Sequence, residues 1–391
     1  MSSPPGWHDS APMAFDRTAG WRHFSERGDV YEVDGVWYFT TTESIQFAHR
    51  HPEIFSSARA FDSLGSPVPL VPIATDPPDH VRYRRVIDPM LAPRVVNAME
   101  DDLRAQLQVL IDAFADRGEC DVMADIARLY PTQVILTLFG LPLEDRDQFI
   151  AWTESIIGAS AAGVGQATPE QLESAMALFV YLQQHLDEKR ANPADDMLSR
   201  VVALSGEDAW TDEELLGMCF LFVIAGLDTV TAMIGFVLYH LAHRPDLRRQ
   251  MLADPSLVTP LIEEVLRLEL AAPTTPRVTL EEVTVKGVTV PAGANVLLVL
   301  ATANRDETRG ADPDGIDLAQ EGRGHLSFGG GIHRCLGSHL ARRELRLVVE
   351  EFHKRIPDYH IPEGVEPAVK WPSATLHFTS LPLVFEGSNP R

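Results

Sequence analysis

The segment His325-Leu-Ser-Phe328-Gly329-Gly330-Gly331-Ile-His333-Arg334-Cys335-Leu336-Gly337 sets a lone cysteine behind a run of glycines, directly before a helix opening Ser338-His339-Leu340-Ala341. Glycines there let backbone N–H groups turn inward onto the sulfur, and the helix points its positive end at it. Both effects favour the thiolate. Such a sulfur could be a nucleophile, a zinc ligand or an iron ligand. Zinc lacks its other three ligands nearby, and nucleophilic catalysis would need an accessible base.

A second chemical signal lies inside an apolar stretch. Thr211-Asp-Glu-Glu214 has the form of a capping box, and behind it apolar residues run from Leu215 to Leu227 and from Val230 to Ala242. Asp228 and Thr229 interrupt the run near its middle. A charge in lipid costs roughly 3 kcal/mol on insertion scales, and no basic flank supports a membrane span, so a buried central helix is the expectation. Two polar groups there need partners or a task. Ala225-Gly226 just before them clears side-chain bulk, and Thr229 can bond back to the Ala225 carbonyl or release it. The plain alternative is a helix-packing glycine beside a satisfied threonine.

The elements that would position these groups are mostly helical. Met99 to Phe114, Tyr130 to Phe139 and Leu172 to Lys189 repeat apolar residues at three- and four-residue spacing. Thr168, Pro169 and Gln171 form a helix start, and the small-residue run Gly158 to Gly165 before it reads as a mobile loop. Alternation from Val30 to Thr41, broken by Asp34-Gly35, predicts a hairpin inside an N-terminal β-rich part at about 28–60. Strand-like runs return at Val283 to Val290, Val296 to Ala301 and Ala374 to Phe385. The fold class is mainly α with small β-sheets, not a doubly wound parallel pattern.

The chain has 391 residues, 45% hydrophobic and 23% charged, which suits a packed globular protein. Without a linker or an internal repeat, one large domain over 1–391 is expected. The net charge of −23 argues against a broad grip on nucleic acid or an anionic membrane. Cys120, Cys219 and Cys335 are too scattered for a disulfide framework. With no leader-like start, the chain is expected to be cytoplasmic.

Phe328 to Gly337 fits Phe-Gly-x-Gly-x-His-x-Cys-x-Gly and so resembles the haem-thiolate loop of the cytochrome P-450 monooxygenases. Ala225-Gly226-Leu227-Asp228-Thr229 is similar to that family's oxygen-binding helix, Glu264-Val-Leu-Arg267 to its Glu-x-x-Arg pair, and Asp76 to Arg85 to the helix meeting the haem from the other side. The wording of Leu227 to Val230 and Leu340 to Glu344 is nearest the soluble bacterial type, the camphor hydroxylase subgroup among them. The resemblance implies a single domain enclosing haem b, with Cys335 as axial iron ligand and O2 as co-substrate. It makes Asp228 and Thr229 the managers of proton delivery. It places His80, Arg84, Arg277, His325 and His333 at the haem propionates, and Ala225, Phe328, Gly329 and Gly337 against the cofactor. Glu264 and Arg267, otherwise a common surface spacing, become a buried structural pair.

Stepping back from Thr229 by four, five and eight gives Ala225, Ile224 and Leu221 as a substrate-facing set. Further pocket walls are expected from Phe61 and Leu70 in the apolar loop 59–72, from Thr274 and Thr275, and from Ala374 and Thr375, with 158–165 as a lid. Two departures from the family wording touch a surface meander: Asn304-Arg305-Asp306 is followed by Glu307, and Ala311 to Gln320 lacks an Arg-Phe. The implied activity is insertion of one oxygen atom into a terpenoid, fatty acid or steroid-like lipid. Direct use of peroxide and a non-catalytic haem sensor are the alternatives. Arg391 follows Cys335 too soon for a fused flavin or iron–sulfur domain. The expected electron donor is therefore a small acidic ferredoxin with a separate reductase, docking on Arg82, Arg84, Arg85, Arg94, Arg334, Arg342, Arg343 and Arg346.

Overall fold

Asp34 and Gly35 both take positive φ, 55° and 80°, and close a tight hairpin between Val30–Val33 and Val36–Phe39. The computed structural model describes residues 6–61, 68–160, 168–306, 312–320 and 324–387. The hairpin is the edge of a five-stranded sheet in the order Val30–Val33, Val36–Phe39, Asn295–Val299, Thr274–Thr279, Phe55–Ser56. Val36–Phe39 runs parallel to Asn295–Val299, with Val36 opposite Asn295, and the other pairs are antiparallel. The N-terminal part is therefore less purely β than the alternation predicts. Helix Thr42–Arg50 interrupts it, and its sheet is completed by strands more than 200 residues later. The Val283 to Val290 signal is a separate hairpin, and Leu300–Ala303 is helical, so the strand expected to reach Ala301 stops at Val299.

Helices build the rest. Both capping boxes form: Thr168 and Gln171 exchange bonds of 2.7 and 3.3 Å, and Thr211 and Glu214 bonds of 2.7 and 3.2 Å. Each satisfies two of the four free N–H groups at a helix start. The second box opens a 32-residue helix, Asp212–His243, that runs unbroken through Asp228 and Thr229. Its apolar surface is spent inside the protein, with Met218, Cys219, Val223, Ile234 and Phe236 fully buried. Leu129–Phe139, Val258–Leu268 and Ser338–Arg355 pack along it. Gly226 is a packing glycine, since a Cβ there would lie 3.0 Å from Cδ1 of Ile135. Gly158 to Ser160 continue the helix Arg146–Ser160, while the remainder of the expected lid, 161–165, lies outside the described residues. Cys120 and Cys219 are buried core residues.

Candidate active site

The cysteine loop is built by left-handed glycines. Gly329 and Gly331 take φ of 65° and 63°, and the Cys335 N–H donates to the Phe328 carbonyl at 2.8 Å. Gly330 and Gly331 seat the loop on helix Thr42–Arg50: a Cβ on Gly330 would lie 2.5 Å from Nδ1 of His49, and one on Gly331 2.3 Å from the His49 carbonyl. Cys335 ends on Gly337, which caps the helix Ser338–Arg355. Its sulfur opens onto a cavity deep in the chain. Burial pushes the thiol up, outweighing the Gly337 N–H and the charges of Arg84, Arg334 and Arg342. The thiolate expected from loop geometry thus needs a bound cation to hold it. Among the described residues no group of three His, Cys, Asp or Glu side chains gathers, so the zinc alternative lacks ligands.

The cavity has a volume of ≈310 Å³. Cys335, Phe328, Gly329, Gly337, His80, Arg84 and His333 line one side, and Thr229, Ala225 and Leu221 of the long helix line the other. Beside it sits an unmatched set of hydrogen-bonding nitrogens. Both ring nitrogens of His80, Nε2 of His333 and Nδ1 of His49 are buried without a partner, and the His80 and His333 rings meet at 4.4 Å. Arg277 is buried with no carboxylate within 4 Å among the described residues; its Nη1 donates only to the Pro276 carbonyl, at 2.6 Å. Burial pushes Arg277 down to about 10, while burial and the Arg277 charge push His333 down to about 3 and His49 to about 4. Such a cluster lacks anions. Two carboxylates of a flat apolar cofactor fit it, and a haem carries those two.

The distal face follows helical geometry more strictly than the expected set. Thr229 Oγ1 donates to the Ala225 carbonyl at 2.8 Å, the bonded-back form of the two considered. Ala225 and Leu221 line the cavity, and so do Phe222 and Met233, seven residues before Thr229 and four after it. Ile224 does not. Five residues rotate a side chain by about 140° net, so Ile224 lies on another face, packed against the core. Asp228, about 100° from Thr229, also turns away from Cys335 and faces a different, polar cavity. The expected neighbours in sequence are therefore not neighbours in one chamber.

Other expectations divide. Thr275 lines the cavity, but Thr274, Ala374, Thr375, Phe61 and Leu70 do not; Leu70 is packed in the core. The loop 59–72 still contributes through its last residue, Pro72, with Ile73 just beyond it. His325 is committed elsewhere: Nε2 bonds Oε2 of Glu263 at 3.0 Å, and Nδ1 accepts from the Ser327 N–H at 3.2 Å. Arg342 also grips Glu263, at 2.6 and 2.8 Å. Burial pushes the Glu263 carboxyl up, but the bonds and charges of Arg342 and His325 outweigh it and hold it down to about 2. Sequence distance hid this contact.

Glu264 and Arg267 form the buried pair directly, with Nε–Oε1 and Nη2–Oε2 both 2.9 Å. Arg267 also donates to the carbonyls of Asn304, Pro313 and Gly315, and Glu264 accepts from the Asp317 N–H. Asn304 completes the link: its amide donates to the Arg267 carbonyl and Ser327 Oγ, and its carbonyl oxygen accepts from the Leu326 N–H at 2.7 Å. The pair, the meander and the cysteine loop are thus one network. Glu344 is a site residue that the motifs do not single out. It lines the cavity fully buried, Oε2 without a partner, and burial holds its carboxyl well above the usual carboxylate range. It lies one turn beyond Leu340 on the same helix face, a step the sequence pattern contains.

The arginine face is largely neutralised. Arg82 pairs with Glu214 at 2.9 Å, Arg84 with Asp88 at 2.6 Å, Arg342 with Glu263 at 2.6 Å and Arg346 with Glu100 at 2.7 Å, while Asp208 and Glu100 hold Arg85 and Arg343. Only Arg94 and Arg334 of the eight lack a carboxylate within 4 Å among the described residues. Sequence counts sum charge without seeing its partners.

A mostly helical fold around a cavity with one cysteine on its floor and a threonine-bearing helix opposite defines a haem-thiolate protein. The family model described as Cytochrome P450 matches residues 72–355, and the chain belongs to that family of monooxygenases, whose cofactor is a haem with a cysteine thiolate ligand. Among its relatives, the vitamin D(3) 25-hydroxylase of Pseudonocardia autotrophica is 35% identical over 344 residues, 85% of this chain and 84% of that one. The mycinamicin IV hydroxylase/epoxidase of Micromonospora griseorubida is 34% identical over 78% of this chain and 76% of its own length. A solved mutant of P450 EryK in complex with erythromycin B superposes with a TM-score of 0.86, at 28% identity, covering 99% of both chains. A Bacillus megaterium cytochrome P450 in complex with testosterone gives 0.87 at 25% identity, covering 95% of this chain and 98% of that one.

Proposed function

We propose that this chain hydroxylates a hydrophobic small molecule of terpenoid, fatty-acid or steroid-like type, using O2 and two electrons from a ferredoxin in the cytoplasm. The observation that carries the reading is the apolar chamber between Cys335 and Thr229, walled by Leu221, Phe222, Ala225, Ile73 and Ala271. When bound, the haem supplies oxygen activation. Cys335 would hold it through its sulfur, whose anionic form would donate electron density to it. His80, His333 and Arg277 would receive its carboxylates, which would neutralise a cluster that is otherwise unmatched, with Arg84 beside them already paired with Asp88. The apolar walls exclude water and orient the substrate, while the Thr229 hydroxyl, released from the Ala225 carbonyl, holds a proton where oxygen is reduced. Relatives named for vitamin D(3) and a macrolide, and a fold neighbour holding testosterone, support rigid polycyclic or macrocyclic substrates as the first to screen.

The chain is expected to take electrons on the face bearing Arg94 and Arg334, the two of the eight arginines with no carboxylate within 4 Å among the described residues. Charge reversal at Arg94 should slow reduction by an acidic ferredoxin and leave substrate binding alone; unchanged reduction kinetics would refute the docking face. The function is tested by a spin-state titration against a panel of sterols, macrolides, terpenes and fatty acids, followed by product analysis. Conversion of a spin-shifting ligand to its hydroxylated form supports the reading. Failure to oxidise any panel member under good electron supply would contradict it.

A further inference from the structure

The long helix Asp212–His243 separates an apolar chamber from one that carries several charged side chains. Behind it, away from Cys335, lies a second cavity of ≈360 Å³ whose wall carries Asp228, His377, Lys370, Arg128 and Glu154. Thr229 lines the first chamber and Asp228 the second, so one peptide unit divides an apolar cavity from a polar one.

His377 is held facing Asp228. Its Nδ1 lies 3.7 Å from Oδ1 of Asp228, both side chains are about 15% exposed or less, and that nitrogen is buried without a hydrogen-bond partner. The gap is too long for a direct bond and short enough to become one after a movement of about 1 Å, or to admit a proton by way of chamber water. The imidazole does not hang on a loose tail. The Lys370 N–H donates to the His377 carbonyl at 2.9 Å, Val369 bridges Phe378, and the Leu376 N–H donates to Ala271, which lines the substrate chamber. The charges facing the ring are Asp228 from the long helix, Arg128 from the start of the Leu129–Phe139 helix, and Lys370 from its own hairpin. Glu154, from the Arg146–Ser160 helix, is paired with Arg128 at 3.4 Å. Burial lowers the ring most, the Asp228 charge and the Thr375 backbone raise it, and Lys370 and Arg128 lower it further. The ring is therefore neutral near pH 7 and free to accept a proton.

We propose that His377 is a positioning residue that holds Asp228 in the polar chamber and relays protons to it, so that the protons of the reaction enter across the long helix from the second cavity. The inference rests on the monooxygenase reading. In the relay, chamber water gives a proton to Nε2, the ring gives the proton on Nδ1 to Oδ1 of Asp228 and is left neutral with its proton on Nε2; the protonated Asp228 side chain turns across the helix to pass its proton to the Thr229 side, and a turn of the ring restores the Nδ1 proton. Nothing is oxidised or reduced in the exchange. Once His377 carries a lasting charge, at low pH, it locks Asp228 in an ion pair and the relay stops.

The test has two readouts. The first is an NMR titration of histidine-labelled protein in its reduced, carbon monoxide-bound form, with His377 assigned through His377→Gln. Asp228→Asn should lower the His377 pKa by about one unit, because a carboxylate at this distance favours the charged ring. An unchanged titration would overturn the proposal. The second is the ratio of product formed to reductant consumed, across pH. In both His377→Gln and His377→Phe this ratio should fall several-fold, with the difference released as hydrogen peroxide, and its acid limb should disappear. Substrate-induced spin shift and the carbon monoxide spectrum should match wild type. A wild-type ratio and pH profile in both variants would overturn the relay. A wild-type protein that oxidises nothing would refute the monooxygenase reading instead, leaving the titration to decide whether His377 and Asp228 are coupled.

Discussion

Replacing Arg267 by methionine removes one partner of a fully buried ion pair and keeps the volume of the side chain. Glu264 is 0% exposed and Arg267 2%, so the stranded carboxylate cannot recruit water and keeps only the Asp317 N–H. Loss of one partner of such a pair costs about 3–5 kcal/mol. The carbonyls of Asn304, Pro313 and Gly315 also lose a charged donor, at roughly 1 kcal/mol each. The expected loss is therefore ~5 kcal/mol or more, against a total stability of about 5–15 kcal/mol. Because Asn304 bonds both the Arg267 carbonyl and the Leu326 N–H, the cysteine loop should loosen with the meander. Urea unfolding gives the stability, and the carbon monoxide spectrum of the reduced protein gives the fraction with an intact cysteine site. The double variant Glu264→Leu/Arg267→Met has no stranded charge and should recover roughly 2 kcal/mol relative to the single variant. Arg267→Met within about 1 kcal/mol of wild type, or a double variant no better than the single, would refute the view that this pair clamps the loop.

Gly331→Ala should lower Tm and haem content together, because its left-handed backbone costs about 1–2 kcal/mol for any side chain and its Cβ meets the His49 carbonyl; calorimetry and haem titration check it. Thr229→Ala should cut O2-driven product by about 100-fold or more while peroxide-driven turnover survives; equal losses by both routes would contradict a proton-handling role. Glu263 contributes acid stability of known sign. Its folded carboxyl is depressed to about 2 from 4.5, so the contribution is full above 4.5 and is lost as pH falls towards 2. Glu263→Gln should flatten stability across that window in an acid-unfolding series, and an unchanged slope would count against it.

What was legible in the sequence was local. Both capping boxes, the Asp34-Gly35 hairpin, the length of the Asp212–His243 helix and the glycine-rich cysteine loop are fixed by residues within a few positions of one another, and each is found in the structure. What was misread depended on angle or on distant partners. Counting five residues back from Thr229 puts Ile224 at the cavity where the helix needs four or seven, and the adjacency of Asp228 and Thr229 in sequence hides that consecutive helical side chains diverge into different chambers. The family resemblance makes His325 a propionate partner because nothing nearby in the sequence reveals Glu263, 62 residues away. The basic face shrank for the same reason, since Glu100, Glu214 and Glu263 reach it from other helices. Asn304 looked like part of a surface meander, yet it is fully buried and ties three segments together.

The account stands on Cys335 as the thiolate that holds the haem. Its most direct measurement is the absorption spectrum of the reduced, carbon monoxide-bound protein, taken for wild type and for Cys335→His. Wild type should show a Soret band strongly red-shifted from that of a histidine-ligated haem, and Cys335→His should move it to the histidine position. A wild-type band already at the histidine position, or a red-shifted band that survives Cys335→His, would contradict the assignment.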